Sequence, residues 1–257
     1  MKKYIQDLII VSNRKLNDDY FILGLSDTHS LPEMLPGQFA EVKVEHNTDV
    51  FLRRPISVHD IDRANNILYL LIKIIGKGTH SLSLLKAGEK LNLVYPLGNS
   101  FDLEHVSNVL LAGGGCGIAP LLYLARCLHQ KKVKTTILLG GRTSSDILEA
   151  EEFEKYGSVF ISTDDGSLGE KGVMTLNSVL RNMNMFDRIY CCGPLPMMKV
   201  FASMAKEAKI DCEVSLENTM ACGIGACLCC VTETLEGNKC VCTEGPVFNI
   251  NKLKWQI

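Results

Sequence analysis

Six of the eleven cysteines in this chain fall between positions 222 and 242. The run reads Cys222-Gly-Ile-Gly-Ala-Cys227-Leu-Cys229-Cys230, with Cys240 and Cys242 following. Cys222, Cys227 and Cys230 give C-x4-C-x2-C, and a fourth thiol lies within reach further on. Closely spaced cysteines on a glycine-containing loop can bring their sulfurs to one point. Gly223 and Gly225 let the backbone curl in that way. The spacing is that of a plant-type [2Fe–2S] centre, which takes four thiolates. Spacing alone leaves Cys240 and Cys242 both open as the fourth, and Cys229 fits no place in the pattern. The competing reading is a zinc-stabilised tail. Zinc sites usually come as two C-x2–4-C pairs, which here would leave Cys222 unused and require the tight Cys240-x-Cys242.

Composition narrows the rest. At 257 residues the chain has room for two modest domains and an extension, and 46% hydrophobic residues are enough for real cores. A net charge of −2 gives no electrostatic case for nucleic acid or an anionic membrane. No apolar run approaches the ~18 residues of a membrane span. The opening Met1-Lys2-Lys3 has the charge of a signal peptide, but Asp7 interrupts the apolar stretch and no small-residue cleavage site follows. The stretch reads as a first strand. Clustered cysteines without a signal suit a metal site in a cytoplasmic protein better than a disulfide framework. Cys116, Cys127, Cys191, Cys192 and Cys212 lie scattered in apolar segments, as buried small hydrophobes do.

Three regions follow from the pattern. Residues 1–102 carry apolar, β-branched runs at 4–11, 20–25, 38–44, 56–59, 67–74 and 90–94, separated by turn clusters such as Asn17-Asp18-Asp19. Such short strands predict an antiparallel barrel or sandwich, with one short helix over 80–85. Residues 103–211 change to strands alternating with helices: strands at 108–112, 135–139, 159–163 and 188–192, helices at 118–130, 145–155, 174–181 and 195–208. That alternation predicts a doubly wound parallel sheet of α/β type. Residues 212–257 return to irregular, Cys- and Gly-rich sequence.

Glycine loops at strand ends carry the second constellation. Gly113-Gly114-Gly115-Cys116-Gly117-Ile118-Ala119-Pro120 joins a strand to a helix, where a dinucleotide pyrophosphate would meet backbone N–H groups. It departs from G-x-G-x-x-G at Ile118, and a tight strand-to-helix turn is the plainer reading. Asp164-Asp165-Gly166 and Cys192-Gly193-Pro194 follow two further strands. In open parallel sheets, ligands bind outside the carboxyl ends of the strands, so together these loops describe a nucleotide crevice. In the β-rich region, Arg53-Arg54-Pro55-Ile56-Ser57 and Gly76-Lys77-Gly78-Thr79 could cradle a diphosphate, although a charge pair before a strand is more often a solvated edge. His59, His80 and His105 have no partners at metal or triad spacing, and no nucleophile motif is present.

Taken in order, these pieces resemble the ferredoxin-reductase-like flavoproteins over essentially the whole chain. The resemblance implies an antiparallel FAD-binding barrel and a nicotinamide-binding α/β domain. Arg54-Pro55-Ile56-Ser57 is similar to that family's R-x-[YF]-[ST] flavin motif, with Ile56 where an aromatic often stands. It implies Arg54 on the FAD diphosphate and Ser57 near the reactive ring nitrogen, with Gly78 and Thr79 as the second diphosphate loop and Leu71, Ile72 and Lys73 lining the flavin. Gly113–Pro120, Asp165 and the Cys192-Gly193-Pro194 turn then belong to the NAD side. The cysteine loop with Cys242-Thr-Glu-Gly-Pro-Val-Phe248 closely resembles the electron-transfer subunits of dihydroorotate dehydrogenase B. In that group the fourth ligand directly precedes x-x-G-P-V-F, which selects Cys242. The implied circuit runs from dihydroorotate on an FMN-containing catalytic partner, through [2Fe–2S] and FAD, to NAD+. The family suggests a heterotetramer of two subunits of each kind in pyrimidine biosynthesis. Sister subunits serve ferredoxin:NADP, sulfide dehydrogenase and sulfhydrogenase enzymes, and this module in one of them is the alternative. Arg142 could meet the extra phosphate of NADP, but a surface arginine is at least as natural a reading.

Overall fold

The computed structural model describes residues 2–45 and 49–257. The chain divides into two compact units. One is Met1–Ser100 with Glu217–Thr232 and Asn238–Pro246; the other is Phe101–Leu216 with Glu233–Gly237 and Val247–Ile257.

The first unit is built on strands β1 (Tyr4–Lys15), β2 (Tyr20–Ser26), β3 (Phe39–Val42), β4 (Arg54–Ser57), β5 (Asp60–Asp62), β6 (Ile67–Lys73) and β7 (Lys90–Leu97), with helix α1 (Lys77–Ser83) before β7. The ladders are antiparallel and run β4-β3-β7-β1-β2-β6-β5. In β1, Leu8 and Ile10 are fully buried while Ile5 and Val11 are exposed, the period-two pattern of a half-covered strand. β2 is buried from Tyr20 to Leu25. The β1–β2 turn is held by Asn17, whose side chain accepts the Asp19 N–H at 2.9 Å. Strand β4 approaches β6, so the sheet curls back on itself as a half-barrel. The Asn13 amide donates to the carbonyls of Ser83 (3.0 Å) and Leu85 (2.7 Å), which satisfies the open end of α1 and ties it to β1.

The second unit holds β8 (Asn108–Gly114), α2 (Leu121–Gln130), β9 (Lys134–Gly141), α3 (Ala150–Glu154), β10 (Ser158–Thr163), β11 (Glu170–Lys171), β12 (Arg188–Cys192), α4 (Leu195–Ala208) and β13 (Asp211–Ser215). Its sheet runs β11-β10-β9-β8-β12-β13 in parallel. From β8 the chain winds outward to β9 and β10, then returns to β12 on the other side. The order therefore reverses between β8 and β12, where such sheets open a crevice. The core is apolar, with Val109, Leu110, Leu111, Ile137, Leu138, Ile189 and Phe201 all fully buried.

After the cysteine loop come β14 (Val231–Thr234), β15 (Gly237–Cys240), the one-turn α5 (Val241–Glu244) and β16 (Val247–Asn249). β14 and β15 form a two-stranded ribbon. β16 lies antiparallel on β13, as Glu213↔Asn249 to Ser215↔Val247.

This division differs from three consecutive segments of 1–102, 103–211 and 212–257. A cut at 211/212 falls inside β13, whose ladder bonds to β12 and β16 keep 211–215 and 247–249 in the parallel unit. Two expected helices are also shorter. Over 145–155, Glu149 sits at φ 55°, so only Ala150–Glu154 is α-helical. Over 174–181 the chain is 3-10 in two pieces, Met174–Leu176 and Ser178–Met185, the second begun by Asn177 accepting the Val179 N–H. No helix of the described residues is long and apolar enough to cross a membrane.

Candidate functional site

The cysteine loop is wound by its glycines. Gly223 and Gly225 sit at φ 67° and 81°, and Leu228 is forced to 57°. This winding turns backbone N–H groups onto sulfur. Ile224 and Cys227 donate to Cys222 Sγ (3.5 and 3.4 Å), Gly225 to Cys242 Sγ (3.2 Å), and Cys242 to Cys230 Sγ (3.4 Å). No disulfide joins the eleven cysteines, all of which lie among the described residues. The Ile224 N–H, with help from Cys227 and Ala226, pulls the Cys222 thiol down to about 6. Burial pushes Cys242 up to about 12.

The Cys222 thiol interacts with Cys227, and the Cys230 thiol with both Cys240 and Cys242. No loop N–H is directed at the Cys240 sulfur among the hydrogen bonds of the described residues. Cys229 is exposed. Among the described residues, no three His, Cys, Asp or Glu side chains group closely enough to hold one metal ion. Backbone N–H groups directed at Cys222, Cys230 and Cys242 suit thiolates of an iron–sulfur core, whose sulfurs accept such hydrogen bonds. The segment beyond Cys242 is anchored on the end of β7. Asn99 donates from its backbone to Gly245 O (2.6 Å) and from its side chain to Glu244 O (3.1 Å).

In the same unit, Arg54-Pro55-Ile56-Ser57 forms the whole of β4, paired with β3 as Val42↔Arg54, Glu41↔Pro55, Ala40↔Ile56 and Phe39↔Ser57. Arg54 lies directly against Gly78, where a Cβ would meet its Nε at 2.9 Å. The two proposed diphosphate segments are therefore neighbours. Thr79 is buried; its Oγ1 accepts the Ile75 N–H at 2.9 Å and fixes the turn. Arg53 is occupied otherwise. Its guanidinium donates to Glu41 O (3.1 Å), Asn92 O (3.2 Å) and Asn92 Oδ1 (2.5 Å), clamping β3 to β7. On β6, Leu71 and Ile72 are buried, while the Lys73 ammonium lies 5.1 Å from the Tyr20 ring centroid.

One charged group here was not singled out by sequence reasoning. Glu41 is fully buried, and neither carboxylate oxygen has a hydrogen-bond partner among the described residues. Burial pushes its carboxyl up to about 7, against the pull of Arg53 and Arg54. The available signal was an acid inside the apolar strand Phe39-Ala40-Glu41-Val42, which period-two reading assigns to a solvated face.

In the second unit the Gly113–Gly117 loop and the Cys192-Gly193-Pro194 turn meet at the reversal of strand order. Cys192 pairs with Gly113 in register. A Cβ on Gly117 would lie 2.2 Å from Cys192 O, and one on Gly114 would lie 2.6 Å from Met197 Sδ and 3.1 Å from Pro194 Cδ. Only bare backbone lets these loops close on each other. Asp165 keeps different company. It accepts from Ser167 N (2.9 Å) and Oγ (2.6 Å), and its own N–H donates to Arg142 O (3.2 Å), so it belongs to the rim formed with the loop after β9. Arg142 is exposed, with Nε 3.7 Å from Asp146.

The family model described as the iron-sulfur cluster binding domain of dihydroorotate dehydrogenase B matches residues 217–254, and the oxidoreductase NAD-binding domain matches residues 111–203. The dihydroorotate dehydrogenase B (NAD(+)) electron transfer subunit of Fusobacterium nucleatum is 35% identical over 254 residues, covering 95% of this chain and 96% of that one. The subunit of the same name from Desulforamulus reducens is 41% identical over 230 residues, covering 86% and 87%. Among solved structures, a chain of the NADH-dependent reduced ferredoxin-NADP oxidoreductase superposes with a TM-score of 0.86 at 32% identity, covering 96% of this chain and 90% of that chain. With a third or more of its residues shared along nearly its full length, the chain belongs to the family of dihydroorotate dehydrogenase B electron-transfer subunits.

Proposed function

We propose that this chain is the FAD- and [2Fe–2S]-carrying oxidoreductase subunit through which dihydroorotate dehydrogenase passes electrons to NAD+. The observation that carries the reading is the seating of Cys242 in the cysteine loop, where Gly225 donates to it and it donates to Cys230. Cys222, Cys227, Cys230 and Cys242 are the ligands of the iron–sulfur centre. The N–H groups of Ile224, Gly225, Cys227 and Cys242 hold the thiolates in place and stabilise their charge.

A bound flavin exchanges electron pairs with nicotinamide and single electrons with an iron–sulfur centre, which is the chemistry that joins the two kinds of site. Arg54, with Gly78 and Thr79, holds the flavin diphosphate. Pro55, Ile56 and Ser57 would hold its ring, Ser57 supplying a hydrogen-bonding hydroxyl, and Leu71, Ile72 and Lys73 would line it. Gly113, Gly114, Gly115 and Gly117 with Cys192, Gly193 and Pro194 receive the nicotinamide nucleotide, and Asp165 stands on the rim. Dihydroorotate is oxidised on a separate FMN-containing catalytic subunit, in a cytoplasmic assembly of two subunits of each kind.

A second reading is favoured by the likeness to the ferredoxin-NADP oxidoreductase chain: the same module serving a ferredoxin-linked enzyme. Co-purification with an FMN-containing dihydroorotate dehydrogenase subunit separates the two. The proposal expects dihydroorotate-dependent NAD+ reduction that neither subunit gives alone. A catalytic subunit that reduces NAD+ equally well without this chain contradicts it.

A further inference from the structure

Glu41 is the buried charge that the roles above leave over. Its backbone is fully used, pairing with Pro55 of β4 and accepting from Arg53. Its side chain ends at the cysteine loop. A Cβ on Gly223 would meet Glu41 Cγ at 2.7 Å, Leu97 Cδ1 at 2.9 Å and Glu41 Oε1 at 3.4 Å. The loop backbone beside Cys222 therefore rests on the carboxyl, at a position with no side chain to shield it. The charged groups facing Glu41 are Arg53 and Arg54 from the strand side and the Cys222 thiol from the loop. Neither guanidinium bonds to the carboxylate. Arg53 donates to Glu41 O, Asn92 O and Asn92 Oδ1, and Arg54 to Leu52 O and Arg53 O.

A leucine of similar volume would fill this position without the desolvation penalty of an acid. Packing alone therefore gives no reason for a carboxyl here. We propose that Glu41 sets the reduction potential of the iron–sulfur centre: its buried carboxylate, seated under Gly223, opposes the arrival of an electron at the thiolate loop. The inference rests on the ligand assignment made above. Reduction adds one electron, and so one negative charge, to the centre with no ligand gained or lost. In a low-dielectric interior a nearby fixed anion makes that charge more costly than it would be in water. Neutralising Glu41 should therefore make the centre easier to reduce. Burial raises the Glu41 carboxyl against the pull of Arg53 and Arg54, so the measurement belongs on the alkaline side.

The test is an anaerobic redox titration of the purified holoprotein at pH 8.5, followed by electron paramagnetic resonance. Wild type is compared with Glu41→Gln, which keeps shape and removes charge, and with Glu41→Leu. Both variants should retain iron and flavin. The reduction equilibrium of the centre should become about tenfold more favourable, an upward shift of about 59 mV for a one-electron couple. An unshifted potential in the variants that load the centre overturns the proposal. So does failure of both variants to load iron and flavin, which would make Glu41 a packing residue. A wild-type protein with no iron–sulfur signal would overturn the ligand assignment itself, an outcome separable from either.

Discussion

Gly117 and Cys192 meet backbone to backbone: a Cβ on Gly117 would lie 2.2 Å from the Cys192 carbonyl oxygen and 2.6 Å from Gly193 Cα. Neither partner is the end of a flexible side chain, so a substituent here has to move one loop away from the other. The crevice at the reversal of strand order depends on this contact.

Gly117→Ala should therefore injure nucleotide use selectively. Overpacking of this kind costs about 1–3 kcal/mol, so the KM for NADH should rise about tenfold or more in reduction of a soluble dye. Flavin and iron content should stay at wild-type levels. An unchanged KM would mean that nicotinamide does not bind against these loops.

Arg54 lies against Gly78 and spends only Nη1 on backbone carbonyls. Losing a charge-assisted hydrogen bond costs about 1.5–3 kcal/mol, so Arg54→Ala should weaken FAD binding roughly tenfold to a hundredfold. Arg54→Lys should recover part of the loss, since an ammonium keeps the charge but not the fork. Flavin released on dilution and measured by fluorescence gives the answer. Equal retention by all three proteins would remove Arg54 from the cofactor site.

The candidate segments were legible because each is written in local spacing. The structure folds the C-x4-C-x2-C run, the Gly113–Gly117 loop and Arg54–Ser57 each into one turn, loop or strand. Strand periodicity likewise gave the two sheets. Long-range pairing was harder to read. β13 and β16 are short strands in a Cys-rich tail, and only the ladder Glu213–Ser215 with Val247–Asn249 reveals them. The helix expected over 145–155 was lost to the positive φ of Glu149, which composition does not announce. Arg53 and Arg54 look equivalent in sequence, yet one clamps Asn92 while the other faces Gly78. Glu41 was hidden for the opposite reason: its strand is covered on both sides, and nothing local in the sequence marks a buried acid.

Cys230 is the thiol shared by the Cys242 N–H and the Cys242 sulfur. Cys230→Ser should abolish electron flow from dihydroorotate to NAD+ in the reconstituted enzyme, with loss of bound iron. NADH-dependent dye reduction through FAD should remain largely intact. Equal loss of both activities would contradict the separation between the iron–sulfur centre and the flavin–nicotinamide path.

The most direct measurement is anaerobic NADH titration of the purified chain, followed by absorbance and electron paramagnetic resonance. The account predicts bleaching of flavin absorbance together with a signal of about one spin per chain from a reduced [2Fe–2S] centre. A colourless protein containing zinc, or a flavoprotein that NADH bleaches with no such signal, would contradict it.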